Sequence, residues 1–126
     1  MDLQLNEQQV LISETANKYI NDNYSFEFRN KLIQNQDSYS KKIWRDFAEM
    51  GWLGLPFKEE DGGFSGNAID IMVLMEAFGK GLVIEPFLSS VLLGGKCLSE
   101  FGTSSQKSKY LKPFIDGQLL FSLAFS

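Results

Sequence analysis

The stretch SKKIWRDFAEMG at residues 40–51 decides the class of the fold. Its apolar residues Ile43, Phe47 and Met50 recur at spacings of four and three, which places them on one face of an α-helix. The serine that opens the stretch is a favoured N-cap residue, and the glycine that closes it suits the left-handed position after a helix. This stretch therefore predicts an amphipathic helix with both ends marked.

Similar signals recur along the rest of the chain. Residues 6–9 (NEQQ) and 103–106 (TSSQ) have the pattern of a capping box, and Asn67 is a candidate N-cap. The helix that follows Asn67 is expected to end at Gly79-Lys80-Gly81, and Pro86 suits the first turn of the next one. We therefore predict an all-α fold, an up-and-down orthogonal bundle of about six helices.

The fifth of these helices is predicted from Pro86 to about Glu100. It is apolar nearly all round, which is typical of a helix in the centre of a domain. Core packing is expected for Leu88, Leu92, Leu98 and the single cysteine, Cys97.

The stretch LLFSLAFS at residues 119–126 has a different character. It is a short apolar run rich in aromatic residues, which predicts a buried β-strand. A lone strand after a set of helices has no neighbour to pair with. We therefore expect the chain to be a truncated part of a larger protein.

The composition excludes several classes of function. Twelve basic residues stand against 16 acidic ones and the net charge is −4, so the chain lacks the clustered positive charge that nucleic-acid binding needs. There is no histidine to activate Cys97 as a nucleophile or to complete a zinc site. No signal peptide or membrane span is recognisable, which favours a cytoplasmic protein.

Four segments follow one another in a distinctive order. They are W…MGWLGLP…GG over residues 44–63, MEAFG at 75–79, FGT..QK..YL…G at 101–117 and SLAFS at 122–126. Their order and spacing resemble the acyl-CoA dehydrogenase family over almost the whole chain. GLVIEPF at residues 81–87 is similar to a branch of that family acting on dicarboxylic or sterol-side-chain acyl-CoAs.

The resemblance implies a domain organisation and a reaction. Residues 1–117 would be the N-terminal helical domain, and residues 118–126 the start of a middle β-domain. The full-length enzyme would use FAD to dehydrogenate an acyl-CoA thioester between its α and β carbons. It would pass electrons to an electron-transfer flavoprotein and assemble as a homo- or hetero-oligomer. The catalytic glutamate would lie beyond residue 126, so no catalytic residue is expected in this chain.

The resemblance also implies two groups of contact residues. The acyl cavity would be lined by Glu85, Pro86, Ser89, Ser90 and Leu93. The flavin would be met by Leu123, Phe125 and Ser126. For Ser89 and Ser90, plain core packing is an equal alternative, and the aromatic side chains of the last segment are alternatively strand core.

Other polar and aromatic residues are expected to be structural. Glu76 is predicted to pair with a basic group or to cap backbone amides, and Trp44 and Trp52 are predicted to be packing anchors. Two alternatives to the dehydrogenase domain stay open: a non-catalytic helical interaction module, and a related flavin oxidase of the same fold. An apolar patch is expected near the fifth helix and the terminal segment.

Overall fold

The computed structural model describes residues 4–36 and 38–125, and within them it contains helices and turns but no β-strand. The all-α class is therefore confirmed, with six helices in the described residues. They are α1 (Glu7–Asn23), α2 (Phe26–Gln34), α3 (Lys41–Glu49), α4 (Ala68–Gly81), α5 (Leu88–Gly95 continued by Lys96–Phe101) and α6 (Ser104–Gln106, Lys107–Leu111 and Lys112–Ile115 in succession). A 3₁₀ turn spans Glu59–Asp61. None of the described helices is long and apolar enough to cross a membrane.

The helix starts lie where the capping side chains predict them. The side chains of Asn6 and Thr103 each accept a hydrogen bond from the backbone N–H three residues on. The glutamine side chain at that position accepts one in return from the backbone N–H of the cap residue. Asn67 forms a third reciprocal box with Asp70, and Ser40 Oγ accepts from Ile43 N at 3.2 Å. Short polar side chains satisfy backbone donors that a helix leaves free, so these ends are set locally.

The end of α4 lies where Gly79-Lys80-Gly81 predicts it. The helix includes both glycines, ends at Gly81 and is followed by Leu82, which adopts a left-handed φ of 51°. A helical glycine costs only about 1 kcal/mol, which packing can offset. A Cβ at Gly81 would collide with Ile20 Cγ2, so the small residue permits a close approach of α4 to α1.

Two compact units make up the described chain, and the first contains α1, α2 and α4. Here α1 and α4 run in the same direction. Gln9 Nε2 near the start of α1 donates to Asp70 Oδ1 near the start of α4 at 3.0 Å. Further along, the two helices bury Ala16, Ile20, Val73, Leu74, Ala77 and Phe78.

The second unit contains residues 39–66 and 85–125. Trp44 of α3 packs with its neighbour Phe47 and with Phe114 of α6, and the Phe114 ring is also edge-on to Phe57 with centroids 6.1 Å apart. Trp52 is 4% exposed and packs on Phe47. Trp44 and Trp52 are therefore packing anchors, as predicted.

The strand predicted over residues 119–126 is not formed within the described residues. Residues 118–125 have no regular secondary structure, and we call this segment the tail. Leu119, Leu120 and Leu123 are 37–46% exposed rather than buried. The physical reason is that a β-strand needs a neighbouring strand for its backbone hydrogen bonds, and the described residues contain none.

Candidate functional site

Helix α5 has two faces of opposite character. The inner face packs into the second unit and includes Ser90 and Val91, both 0% exposed. The outer face is exposed and carries a line of residues four apart, which a helix places side by side. This outer face comprises Ser89, Leu93, Cys97 and Phe101.

The prediction that α5 is central was therefore wrong for one side of the helix. Leu88, expected in the core, is 56% exposed, and Phe101 is 85% exposed. Cys97, expected to be buried, is exposed. Hydrophobicity all round predicts that a helix is covered, but it does not say by what, and only the inner half is covered within this unit.

The first eight residues of α5, Leu88–Gly95, form a π-helix. Its wider turn spreads successive side chains differently from an α-helix and occurs in proteins frequently at functional sites. The outer-face residues Ser89 and Leu93 lie in this part of α5. No feature of the sequence predicts the wider turn.

The five residues expected to line an acyl cavity separate into two groups. Ser89 and Leu93 lie on the outer face, Leu93 with 47% exposure, and Pro86 is half-buried at the start of α5. Glu85 and Ser90 are buried and engaged with other parts of the second unit. The structure thus brings three of the five to accessible positions.

Glu85, in the segment before α5, lies against the N-terminal end of α3. Its carboxylate is buried, and Oε1 accepts a hydrogen bond from Ser40 N at 3.3 Å. Because Ser40 is the N-cap residue of α3, the negative charge lies at the positive end of the helix dipole. The geometry of Glu85 therefore suits a structural contact between α3 and the segment before α5.

Ser90 is bonded to the tail. Its Oγ donates to Phe121 O at 2.7 Å and accepts from Phe121 N at 2.8 Å. The hydroxyl has no exposed surface left for a ligand. Ser90 therefore makes a structural contact, and its hydrogen-bond partner is the tail.

The residues expected to meet a flavin lie in the tail. Leu123 is 46% exposed and Phe125 is 92% exposed, whereas Ser126 lies outside the described residues. Beside them an open groove of about 320 Å³ is lined by Gly94, Cys97, Leu98, Tyr110, Phe121, Ser122 and Leu123. The outer face and the tail therefore form the exposed apolar patch that the sequence predicts.

The sequence did not predict two residues of this groove. Cys97 was expected in the core, and Tyr110 was not among the expected contact residues. A usable signal existed for Cys97, because it follows Ser89 and Leu93 at the same four-residue spacing. Tyr110, 40% exposed, had no comparable signal.

Glu76 lies apart from this region, on α4. Its Oε1 is 3.1 Å from Lys80 Nζ, and both side chains are more than 60% exposed. The predicted pairing with a basic group is therefore confirmed. In the described part of the chain no group of three or more acidic or cysteine side chains is arranged to hold a metal ion.

The sequence matches a known family over most of its length. Residues 6–118 match the model of the acyl-CoA dehydrogenase N-terminal domain. This chain belongs to the acyl-CoA dehydrogenase family. The match ends at the tail, so it covers all six helices but not the exposed residues 119–125.

Individual relatives agree with this assignment. The chain is 30% identical over 96 residues to the probable acyl-CoA dehydrogenase YngJ of Bacillus subtilis, covering 75% of this chain and 25% of that protein. It is also 30% identical over 125 residues to the L-prolyl-[peptidyl-carrier protein] dehydrogenase of a Serratia species, covering 95% of this chain and 32% of that protein.

A solved structure shows the same fold. The FAD complex of PigA superposes with a TM-score of 0.78 at 28% identity, covering 95% of this chain and 32% of PigA. The chain thus spans about a quarter to a third of the length of the proteins that it matches.

Proposed function

We propose that this chain serves as the N-terminal helical domain of an FAD-dependent acyl-CoA dehydrogenase, an oxidoreductase that introduces an α,β double bond into an acyl-CoA thioester. The observation that carries the proposal is the exposed apolar surface of α5 and the tail, in a chain of this family. A self-sufficient domain rarely leaves so much apolar surface open, and such a surface marks a site for a ligand or another domain. The catalytic base would lie outside these 126 residues.

The acyl chain would lie along the outer face of α5. Ser89 is small and Leu93 is larger, and they are one turn apart on that face, so together they would set the space for the acyl tail. Pro86 would border the same space. Glu85 and Ser90, also expected to contact substrate, have internal partners, so we assign them to holding this face in place.

The tail fits a role beside a flavin. Its apolar side chains Leu123 and Phe125 are exposed next to an apolar groove, and such a surface suits a planar aromatic ring. We propose that Leu123 and Phe125 pack on FAD and that the Ser126 hydroxyl donates a hydrogen bond to it. When bound, FAD would accept the hydride from the substrate β-carbon.

The proposal extends to partners and location. Electron-transfer flavoprotein would reoxidise the flavin, and the enzyme would be a homo- or hetero-oligomer in the cytoplasm, with no nucleic-acid partner. The similarity of residues 81–87 to one branch of the family supports dicarboxylic or sterol-side-chain acyl-CoAs as substrates.

A second candidate substrate follows from the comparisons. The Serratia relative matches 95% of this chain and is named for an aminoacyl group on a peptidyl-carrier protein. A thioester on a carrier protein has the same α and β carbons as an acyl-CoA. The test of function therefore includes both kinds of thioester.

The experiment uses the full-length gene product. We expect it to be yellow with FAD, and we expect the flavin band to bleach anaerobically with one class among straight-chain, dicarboxylic and sterol-side-chain acyl-CoAs. Bleaching only by an aminoacyl carrier protein would establish the second candidate. Bleached flavin that oxygen reoxidises rapidly would indicate the oxidase alternative. A colourless protein that cannot be loaded with FAD would contradict the proposal and favour a non-catalytic module.

A further inference from the structure

Phe121 is the residue of the tail that the second unit holds most firmly. Ser90 Oγ bonds both its carbonyl oxygen, at 2.7 Å, and its amide nitrogen, at 2.8 Å. In an antiparallel sheet, a residue of the neighbouring strand supplies this same pair of bonds. A single buried hydroxyl thus substitutes here for a strand partner at one position.

The Phe121 side chain is held as well as its backbone. Its ring stacks on Phe114 of α6 with centroids 4.3 Å apart and an interplanar angle of 23°. A Cβ on Gly94 of α5 would lie 2.7 Å from Phe121 Cβ, so the absence of a side chain at Gly94 is what lets the tail lie this close to α5. Ser90, Gly94 and Phe114 together define one seat for Phe121.

We infer that Ser90 is a positioning residue, which fixes the register of the tail and so determines which of its side chains are presented to the flavin. In the complete enzyme the tail would form the first strand of the β-domain, where successive side chains point to opposite sides and a slip of one residue exchanges the two sets. Fixing Phe121 fixes the places of Leu123 and Phe125 relative to the groove. This inference rests on the proposed function, because it assigns the tail to the flavin.

The test compares three variants of the full-length gene product. Ser90→Ala removes both bonds to Phe121, and Ser90→Thr keeps the hydroxyl. Ser99→Ala is the matched control, since Ser99 is a second buried serine of α5, 2% exposed, outside the seat of Phe121. The readouts are the dissociation constant of FAD, the shape of the visible flavin band and the separate values of kcat and KM.

We expect Ser90→Ala to raise the dissociation constant of FAD about tenfold, because the part-buried backbone N–H and C=O of Phe121 lose their partner and the tail loses its register. The flavin band should broaden toward that of flavin in water. Ser90→Thr should restore most of the affinity, and Ser99→Ala should behave like the unmodified protein. A lower kcat with little change of KM for the acyl thioester would indicate an effect on the flavin side.

Hydrogen exchange of the unmodified protein provides a test that does not depend on a variant that folds. The Phe121 amide should exchange more slowly than that of Ser122. Equal exchange at these amides, or a Ser90→Ala protein with unchanged FAD affinity and flavin band, would overturn the inference. A full-length protein that binds no FAD would instead refute the proposed function. A protected Phe121 amide in that protein would establish the contact between Ser90 and Phe121 but not its role in flavin binding.

Discussion

Two segments of the second unit have similar composition, but one is buried and the other is mostly exposed. Residues 52–57 (WLGLPF) and 119–125 (LLFSLAF) are both short, apolar and free of regular secondary structure. All six residues of the first are buried, whereas only Phe121 among the seven of the second is even half-buried. Hydrophobicity alone therefore does not determine which irregular segment enters the core.

The difference lies in where the backbone polar groups find partners. In the buried segment Gly54 O accepts from Phe57 N and Phe64 N, Leu55 O from Gly66 N, and Phe57 O from Ser65 N, at 2.7–3.2 Å. The loop that follows thus folds back and supplies donors to the segment. In the tail, Gln118 N donates to Pro113 O at 2.9 Å, and beyond it the bonds are the two between Phe121 and Ser90. An apolar segment becomes core when its backbone is satisfied as well as its side chains.

The largest expected effect comes from the same substitution in both segments. Phe57 is 0% exposed and Phe125 is 92% exposed. Phe57→Ala should lower the free energy of unfolding by about 3–5 kcal/mol, because it leaves a cavity against Phe114. Phe125→Ala should change it by less than about 0.5 kcal/mol. Urea denaturation measures both, and equal losses would contradict the contrast between the two segments.

The next effect concerns the loop that supplies the backbone donors. A Cβ at Gly63 would lie 2.6 Å from Gly54 O, so Gly63→Ala should push the loop away from the buried segment. The free energy of unfolding should fall by about 2–3 kcal/mol. The matched control is Gly79→Ala in α4, where a Cβ meets nothing within 4 Å. That change should stabilise the protein by about 0.5–1 kcal/mol. Thermal unfolding of the two variants should shift in opposite directions.

A change at Gly94 tests the tail by itself. Gly94→Ala places a Cβ against Phe121, so the tail should move away while the helices stay folded. Protection of the Phe121 amide from hydrogen exchange should fall on the order of tenfold, as expected when a buried hydrogen bond is weakened. Unchanged protection would mean that the close approach of the tail to α5 is not needed to hold it.

The smallest expected effect is at the surface of the other unit. Glu76→Gln removes the charge that pairs with Lys80 while keeping the shape of the side chain. Because both partners are more than 60% exposed, the free energy of unfolding should fall by about 0.3–0.5 kcal/mol, and this difference should vanish at high salt. A loss above 1 kcal/mol at any salt concentration would show that this ion pair matters far more than its exposure suggests.

The sequence predicted well what is decided by residues close in the chain. Asn6, Ser40 and Thr103 cap their helices because each bonds an amide three residues away. What it predicted poorly depends on distant partners. Leu88 and Cys97 are expected in the core because α5 is apolar nearly all round, but both are exposed in the described chain.

The candidate site shows the same division. Ser89 and Leu93, which the resemblance to the family implies as acyl contacts, lie on the exposed outer face of α5, and their contact with substrate stays a prediction. The engagement of Ser90 with Phe121 joins residues 31 apart in the sequence, and a serine has no pattern that signals such a partner. The sequence therefore predicts candidate contact residues, but it does not predict the hydrogen bonds by which Ser90 holds the tail.

The central claim is that the outer face of α5 lines the acyl cavity of the complete enzyme, and chain-length preference tests it most directly. Leu93→Trp in the full-length gene product should shift the acyl-CoAs that bleach the flavin toward shorter or smaller acyl groups. Leu11→Trp, at a leucine of α1 that is 62% exposed, is the control and should leave the preference unchanged. An unaltered preference in a folded, flavin-loaded Leu93→Trp protein would contradict the claim.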